Sequence, residues 1–367
     1  MKQFDLPTSF APETLDDILE YTTSHGSSDL HIQSKTPLVA DVYGRLVKLH
    51  PRSISFQDAE TVITRIYGQN AVAQIYDGKA IDTSYEIGSG ESRVRFRVNA
   101  VGVLIRGSIG IQITIRTIPT NPPTVEDLNV EQEIIDAFLP SQGLVVVTGP
   151  TGSGKSTLLA SLVRKILEMP ENGKKIVTYE APIEFVYDAI DAPSSIISQS
   201  EVPSNIRDFA VGVENALRRK PDIILIGEAR DPETIEASVV ASQTGHLVYT
   251  TAHTNGVAET IRRMVNVFPS EERSAKQLDI IDSMQLIVSQ RLVKTLDGKR
   301  AAIKEYLVFD SNVKEQLTSC HPDKIASVAK KIVEEKGTDM ISAANQLFLS
   351  GAVEQSEINT IIKSFGG

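Results

Sequence analysis

Residues Gly149 to Thr157 read GPTGSGKST and stand between the apolar run Leu144 to Val147 and the helical pattern Leu158, Leu159, Leu162, Ile166. This is a strand, a glycine-rich loop and a helix, in the order that phosphate binding requires. Gly149, Gly152 and Gly154 let the backbone turn where a side chain would obstruct it, so that N–H groups converge on an anion. Pro150, Thr151 and Ser153 complete the lining, Lys155 supplies a compact cation between β- and γ-phosphates, and Thr157 closes the motif. The Ser156 hydroxyl is placed to ligate Mg²⁺, and the helix that begins here adds its positive end. ATP and Mg²⁺ are the expected ligands.

Such a loop needs a sheet around it, and the sequence supplies one. Apolar stretches at Leu144 to Thr148, Lys175 to Tyr179, Ile223 to Ile226 and Leu247 to Thr251 alternate with helical segments, the pattern of a parallel sheet covered on both faces. One helix is well marked, with Asp231 as N-cap, Pro232 at its first position and Gly245 beyond its end. Before this region the chain mixes short alternating strands, such as those flanking Tyr43-Gly44, with helical windows like Ala59 to Tyr67, which reads as a small α+β domain. Three prolines in Thr117 to Thr124 (TIPTNPPT) suggest a linker. The expected division is 1–118, a linker 119–130, an ATPase core 131–270, and a mainly helical region 271–367 in which Lys304 to Asp310 is a possible strand. At 367 residues, two or three domains are the prior.

Composition sets outer limits. The single cysteine, Cys320, forbids an internal disulfide and a multi-cysteine zinc site. A net charge of −10 argues against a general affinity for nucleic acid. No run approaches the length of a membrane span, and MKQFDLPTSF lacks a signal-peptide pattern, so a cytoplasmic protein is expected, docked on a membrane only through partners.

Other residues gather around the loop. The stretch PDIILIGE, Pro221 to Glu228, delivers an acid at the carboxyl end of a strand, where Glu228 can reach Mg²⁺ or the attacking water. Tyr179 to Glu184 (YEAPIE) follows another strand and brings Glu180 and Glu184 to the same edge, one of them able to polarise water. His253 lies just past the fourth strand, where an imidazole can hydrogen-bond the γ-phosphate; His246 opens that strand at its far end and reads equally well as a structural histidine. Arg93, Arg95 and Arg97 alternate on a strand and so share a face, with Arg106 and Arg116 following. They are either a solvated face or a set of guanidinium forks offered to a triphosphate, including one held by a neighbouring subunit.

Together these motifs resemble the secretion ATPase superfamily that powers type IV pili, type II secretion and type IV secretion. GPTGSGKST resembles its Walker A loop, YEAPIEF (Tyr179 to Phe185) its Asp box, IILIGEARDPET (Ile223 to Thr234) its Walker B region, and TGHLVYTTAHTN (Thr244 to Asn255) its His box. SDLHI (Ser28 to Ile32) and RFRVNA (Arg95 to Ala100) resemble its N-terminal domain. The resemblance implies a homohexamer of protomers with a PAS-like N-terminal domain and a RecA-like ATPase domain, cytoplasmic and peripheral to the inner membrane through its complex proteins. It assigns Glu184 as general base, Glu228 to Mg²⁺ and water, His253 to γ-phosphate sensing, and the RFRVN arginines to nucleotide across a domain or subunit boundary.

YEAPIEFVYD, NALRRKPD and GKRAAIKEYLVFD place the chain nearest the type IVB secretion and conjugative-plasmid members. It lacks the four-cysteine subdomain of assembly and type II members. It also has Ala181 where the pilus-retraction group commonly carries an acid. Three functions are compatible with these residues: a motor for secretion, conjugation or pilus retraction; a nucleotide-gated docking switch with little turnover; and a DNA translocase, which the acidic charge disfavours.

Overall fold

The computed structural model describes residues 10–42, 44–89, 93–118 and 121–365. Tyr43 of the expected hairpin, Pro119 and Thr120 of the proline-rich stretch, and the opening MKQFDLPTS lie outside the described residues. The chain divides into two compact units, Met1–Asn121 with Pro182–Ala189, and Pro122–Ala181 with Ile190–Gly367.

The first unit is α+β. Helix α1 (Pro12–Ser24) precedes β1 (Ser27–Gln33), β2 (Pro37–Val42) and β3 (Arg45–Ser53); α2 (Phe56–Tyr67) and α3 (Ala71–Tyr76) follow, then β4 (Ile81–Ile87), β5 (Val94–Ile105) and β6 (Ser108–Ile118). The six strands form one sheet in the order β3-β2-β1-β6-β5-β4, with antiparallel neighbours throughout. Ser55 and Asp58 start α2 with a reciprocal capping box. Leu15, Ile18 and Leu19 of α1, Val62 and Ile63 of α2, and Ile75 of α3 pack in one core with Phe96, Val98 and Ala100 of β5. Because side chains alternate along a strand, Arg95 and Arg97 share the face opposite that core, as their spacing predicts.

The second unit carries a seven-stranded sheet, order β13-β12-β7-β11-β10-β8-β9. Its elements are α4 (Gln132–Ala137), β7 (Gly143–Thr148), α5 (Lys155–Leu167), β8 (Lys175–Glu180), β9 (Ile196–Glu201), α6 (Phe209–Leu217), β10 (Ile223–Ile226), α7 (Pro232–Gln243), β11 (Leu247–Ala252), α8 (Val257–Asn266), α9 (Arg273–Ser283), β12 (Met284–Lys294), β13 (Arg300–Val308), α10 (Ser311–Thr318), α11 (Ile325–Lys336), α12 (Met340–Leu349) and α13 (Gln355–Phe365). All neighbours are parallel except β12 and β13. Every residue of β7, β10 and β11 is buried, as expected for strands covered on both faces. Leu144 and Val146 pack into a core with Ile235 and Val239 of α7 and Ile261 of α8. On the other face the Tyr249 hydroxyl donates to Phe138 O at 2.6 Å, beside α4. Helix α7 starts as anticipated, with the Asp231 carboxylate accepting from Thr234 N and Pro232 at its head.

Two features differ from the sequence expectation. The region after residue 270 is not only helical with one strand: β12 runs beside β7 and extends the central sheet, and β13 pairs with it along nine residues. MQLIVSQRLVK follows α9 without a glycine or proline between them, so no breaker separates helix from strand. The second difference is that Pro182–Ala189 leaves the unit in which its neighbours lie and joins the first. Glu180 and Glu184, both expected at the carboxyl edge of the sheet, are thus assigned to different units.

Candidate functional site

In the second unit the chain leaves β7 at Thr148, at the carboxyl edge of the parallel strands, where a helix N-terminus and the strand ends converge. Thr148 is fully buried; its Oγ1 lies 2.6 Å from Thr254 Oγ1 and accepts from Thr254 N at 3.1 Å. The entry to the glycine-rich loop is thus tied to the exit of β11. Gly149 has φ +146°, and a Cβ there would run into Gln290 O and stand 2.6 Å from Ser153 Oγ. Gly154, at φ +83°, is the N-cap of α5, with the Gln290 side chain 2.8 Å from where its Cβ would be. Both conformations favour glycine.

Lys155 begins α5, only 8% exposed. Its Nζ donates to Gly149 O at 2.9 Å and Pro150 O at 3.1 Å, and stands 3.4 Å from His253 Nδ1. His253 Nε2 is 3.8 Å from Glu228 Oε1. Partial burial, followed by the charges of Lys155, Arg263 and Arg230, holds the imidazole below its ordinary pKa, against the opposing pull of Glu228. The ring is therefore neutral near pH 7. Accepting from Lys155 at Nδ1, it keeps its hydrogen on Nε2, toward Glu228.

Lys155, His253 and Glu228 thus form a cation, neutral-ring, carboxylate series at one sheet edge. Thr251 Oγ1 donates to Gly227 O at 2.5 Å, and Ala229 N to Thr251 O at 3.1 Å, which fixes the Glu228 turn against β11. Glu180 ends β8 at the same edge, its Oε1 accepting from Thr178 Oγ1 at 2.7 Å and Gln199 Nε2 at 3.1 Å.

The loop residues fit a polyphosphate. The loop is turned by left-handed glycines and ends in a helix N-terminus, a conformation that aims N–H groups at an anion. Ser153 Oγ is buried without a protein partner, a hydroxyl left able to donate. Ser156 is exposed on the first turn of α5, open to a cation bound with the phosphates.

The other expected residues lie elsewhere. His246 precedes β11 at the amino edge of the sheet, where its O accepts from Gly143 N. The strand's six residues, at about 3.3 Å each, put it roughly 20 Å from the loop, so in its own chain it does not line the phosphates. Its Nδ1, 3.1 Å from Ala241 O, marks a structural role. Arg95 is 4% exposed and donates to the carbonyls of Ile183 and Glu184 within the first unit, so its fork is not offered to a phosphate. Arg116 pairs with Asp29 at 2.7 Å. Arg97 is exposed on the same face of β5, and Arg106 is exposed in the β5–β6 turn at φ +50°.

Sequence reasoning missed Gln290, whose Nε2 donates to Ser153 O at 2.7 Å and whose own carbonyl crowds Gly149. It also missed the Thr148–Thr254 tie. A threonine ending an apolar strand was the available signal for the second; Gln290 lies on the unanticipated β12 and carried none.

Among known proteins, the type II/IV secretion system protein family matches residues 8–363. The type IV pilus retraction ATPase PilT of Pseudomonas aeruginosa is 34% identical over 318 residues, 86% of this chain and 88% of that protein. The X-ray structure of the Legionella pneumophila ATPase DotB superposes with a TM-score of 0.93 at 46% identity, covering 99% of both chains. The crystal structure of the pilus retraction motor PilT with bound ADP superposes with a TM-score of 0.83 at 27% identity, covering 95% of this chain and 96% of that one. The fold is thus that of these ATPases, a parallel α/β nucleotide-binding sheet with an N-terminal α+β unit and a helical C-terminal portion. The phosphate loop, the Lys155–His253–Glu228 series and these similarities lead to one conclusion: the chain belongs to the type II/IV secretion system protein family and is an ATPase of the secretion superfamily.

Proposed function

We propose that this ATPase hydrolyses ATP to ADP and phosphate as a cytoplasmic homohexamer, and that turnover drives a type IVB secretion or conjugative transfer apparatus at the inner membrane. The observation that carries the reading is the Lys155–His253–Glu228 series beside a glycine loop, in a chain 46% identical over 99% of its length to DotB. Lys155 neutralises charge on the transferred phosphoryl group, and the neutral His253 exchanges its contact with Lys155 for one to the γ-phosphate. Glu184 takes the proton of the attacking water as the bond between the γ-phosphorus and the bridging oxygen breaks. Mg²⁺ bound with ATP would screen the β- and γ-phosphate oxygens; Ser156 Oγ and Glu228 are the residues suited to hold it.

Steady-state ATPase assays of the purified ring check the assignment. Lys155→Ala and Glu184→Gln should each lower kcat by about a hundredfold or more. Glu228→Gln should keep a stable nucleotide-bound ring while losing turnover. Wild-type rates in Lys155→Ala or Glu184→Gln would remove those roles.

Pilus retraction is the second reading, favoured by the 34% identity to PilT across 86% of the chain. Expression in a host lacking its retraction ATPase separates the two: restored twitching assigns a pilus motor, whereas restored effector translocation in a secretion-deficient host assigns the first reading. No helix among the described residues is long and apolar enough to cross a membrane.

A further inference from the structure

Segment 182–189 contains no helix or strand, yet it departs from the unit of both its flanks and packs in the first. Two arginines at the start of β5 hold it there. Arg95 Nη1 donates to Glu184 O at 3.0 Å and Nη2 to Ile183 O at 3.1 Å, so one planar fork spans two consecutive carbonyls. Its Nε lies 3.7 Å from Glu86 Oε2, the residue opposite it on β4. Arg93 clasps the Asp188 carboxylate through both Nη atoms, one of them at 2.6 Å, near the far end of the segment. That contact raises the Arg93 pKa and lowers that of Asp188, so both stay charged across the working pH range.

We propose that Arg95 is a positioning residue for Glu184, holding its backbone through the carbonyls of Ile183 and Glu184, with Arg93–Asp188 as a second anchor of the segment. This rests on Glu184 being the general base, as in the preceding reading. Only an arginine meets the geometry: a lysine offers a point charge with no planar fork and reaches one carbonyl at a time. Rates are steep in the placement of a base, where a displacement of about 1 Å costs on the order of a hundredfold. Loosening the segment should therefore reach kcat while leaving ATP affinity alone, because these contacts of Arg95 and Arg93 are with Ile183, Glu184, Glu86 and Asp188 and not with the phosphate loop. Arg95 acts through the backbone of Glu184, whereas the neighbouring Arg97 is exposed and free of that task.

The test measures kcat, KM for ATP and amide hydrogen exchange of the 182–189 peptide in the intact ring. The variants are Arg95→Lys, Arg93→Asp, Asp188→Arg and the double exchange of the last two, with Glu184→Gln as reference. The expected result for Arg95→Lys is a loss of roughly tenfold or more in kcat, faster exchange confined to 182–189, and an unchanged KM. The single charge reversals should behave alike and the double exchange should recover turnover. If Arg95→Lys leaves exchange and kcat at wild-type values while Glu184→Gln is inactive, the clamp is overturned and the base assignment stands. If Glu184→Gln is active, the base assignment fails and the positioning role with it. If Arg95→Lys raises KM without altering exchange, Arg95 serves the nucleotide directly and the proposal is wrong.

Discussion

His253 lies between Lys155 and Glu228, and its ring is held neutral by burial and by the cation beside it. Its folded pKa is below the ordinary 6.5, so between the two values the unfolded chain binds the extra proton. The neutral ring's contribution to stability is complete above pH 6.5 and is lost as the pH falls toward the folded value. Urea unfolding at one pH above and one below 6.5 should therefore show a larger acid loss in the wild type than in His253→Gln. Equal losses would place the acid sensitivity elsewhere. Gln290 works differently, through one neutral hydrogen bond from β12 to Ser153 O. Gln290→Leu removes it and should weaken ADP binding by about 1 kcal/mol, roughly fivefold in Kd by calorimetry. An unchanged Kd would mean that the glycine conformations alone hold the loop.

Elements whose signals are local were legible in the sequence. Strand β7, the loop and α5 follow from an apolar run, three glycines and a helical period, and α7 from its cap and proline. What escaped depends on distant partners. Strand β12 is fixed by its ladder to β7, about 140 residues upstream, and segment 182–189 by two arginines about 90 residues upstream; neither pairing leaves a mark in a local window. The same non-local logic holds Glu305 of β13. Its Oε1 accepts from Val257 N at the head of α8 at 2.6 Å, and its Oε2 from Met340 N at the head of α12 at 3.3 Å. Burial pushes this carboxyl up, while the two N–H groups pull it back. Removing it takes that acceptor from Val257 N and Met340 N, while Asp339 still caps Ile341 N and Ser342 N of α12. Glu305→Ala should cost about 2–4 kcal/mol in denaturant unfolding and speed amide exchange in α12. A loss below about 1 kcal/mol would show that water replaces the carboxylate at both ends.

In the proposed homohexamer, the arginines would decide whether a site is complete within one chain. Arg95 is committed to segment 182–189 and Arg116 is paired with Asp29, which leaves Arg97 the better candidate for a fork offered outward from β5. In a closed ring built from one repeated interface, a residue of each protomer can serve its neighbour's nucleotide. That arrangement has a quantitative consequence. Arg97→Ala and Lys155→Ala should each be inactive as pure rings. In rings re-assembled from an equal mixture, a protomer with intact Lys155 sits beside one with intact Arg97 at about one site in four, so roughly a quarter of wild-type turnover should return. If Arg97 acts on its own protomer, every chain in the mixture lacks one of the two groups and nothing returns. Mixing after the rings are cross-linked must also give nothing, because recovery requires exchange of protomers. Recovery only in freely exchanging mixtures would assign Arg97 to the neighbouring subunit's nucleotide, and absence of recovery in demonstrably mixed rings would confine each site to a single chain.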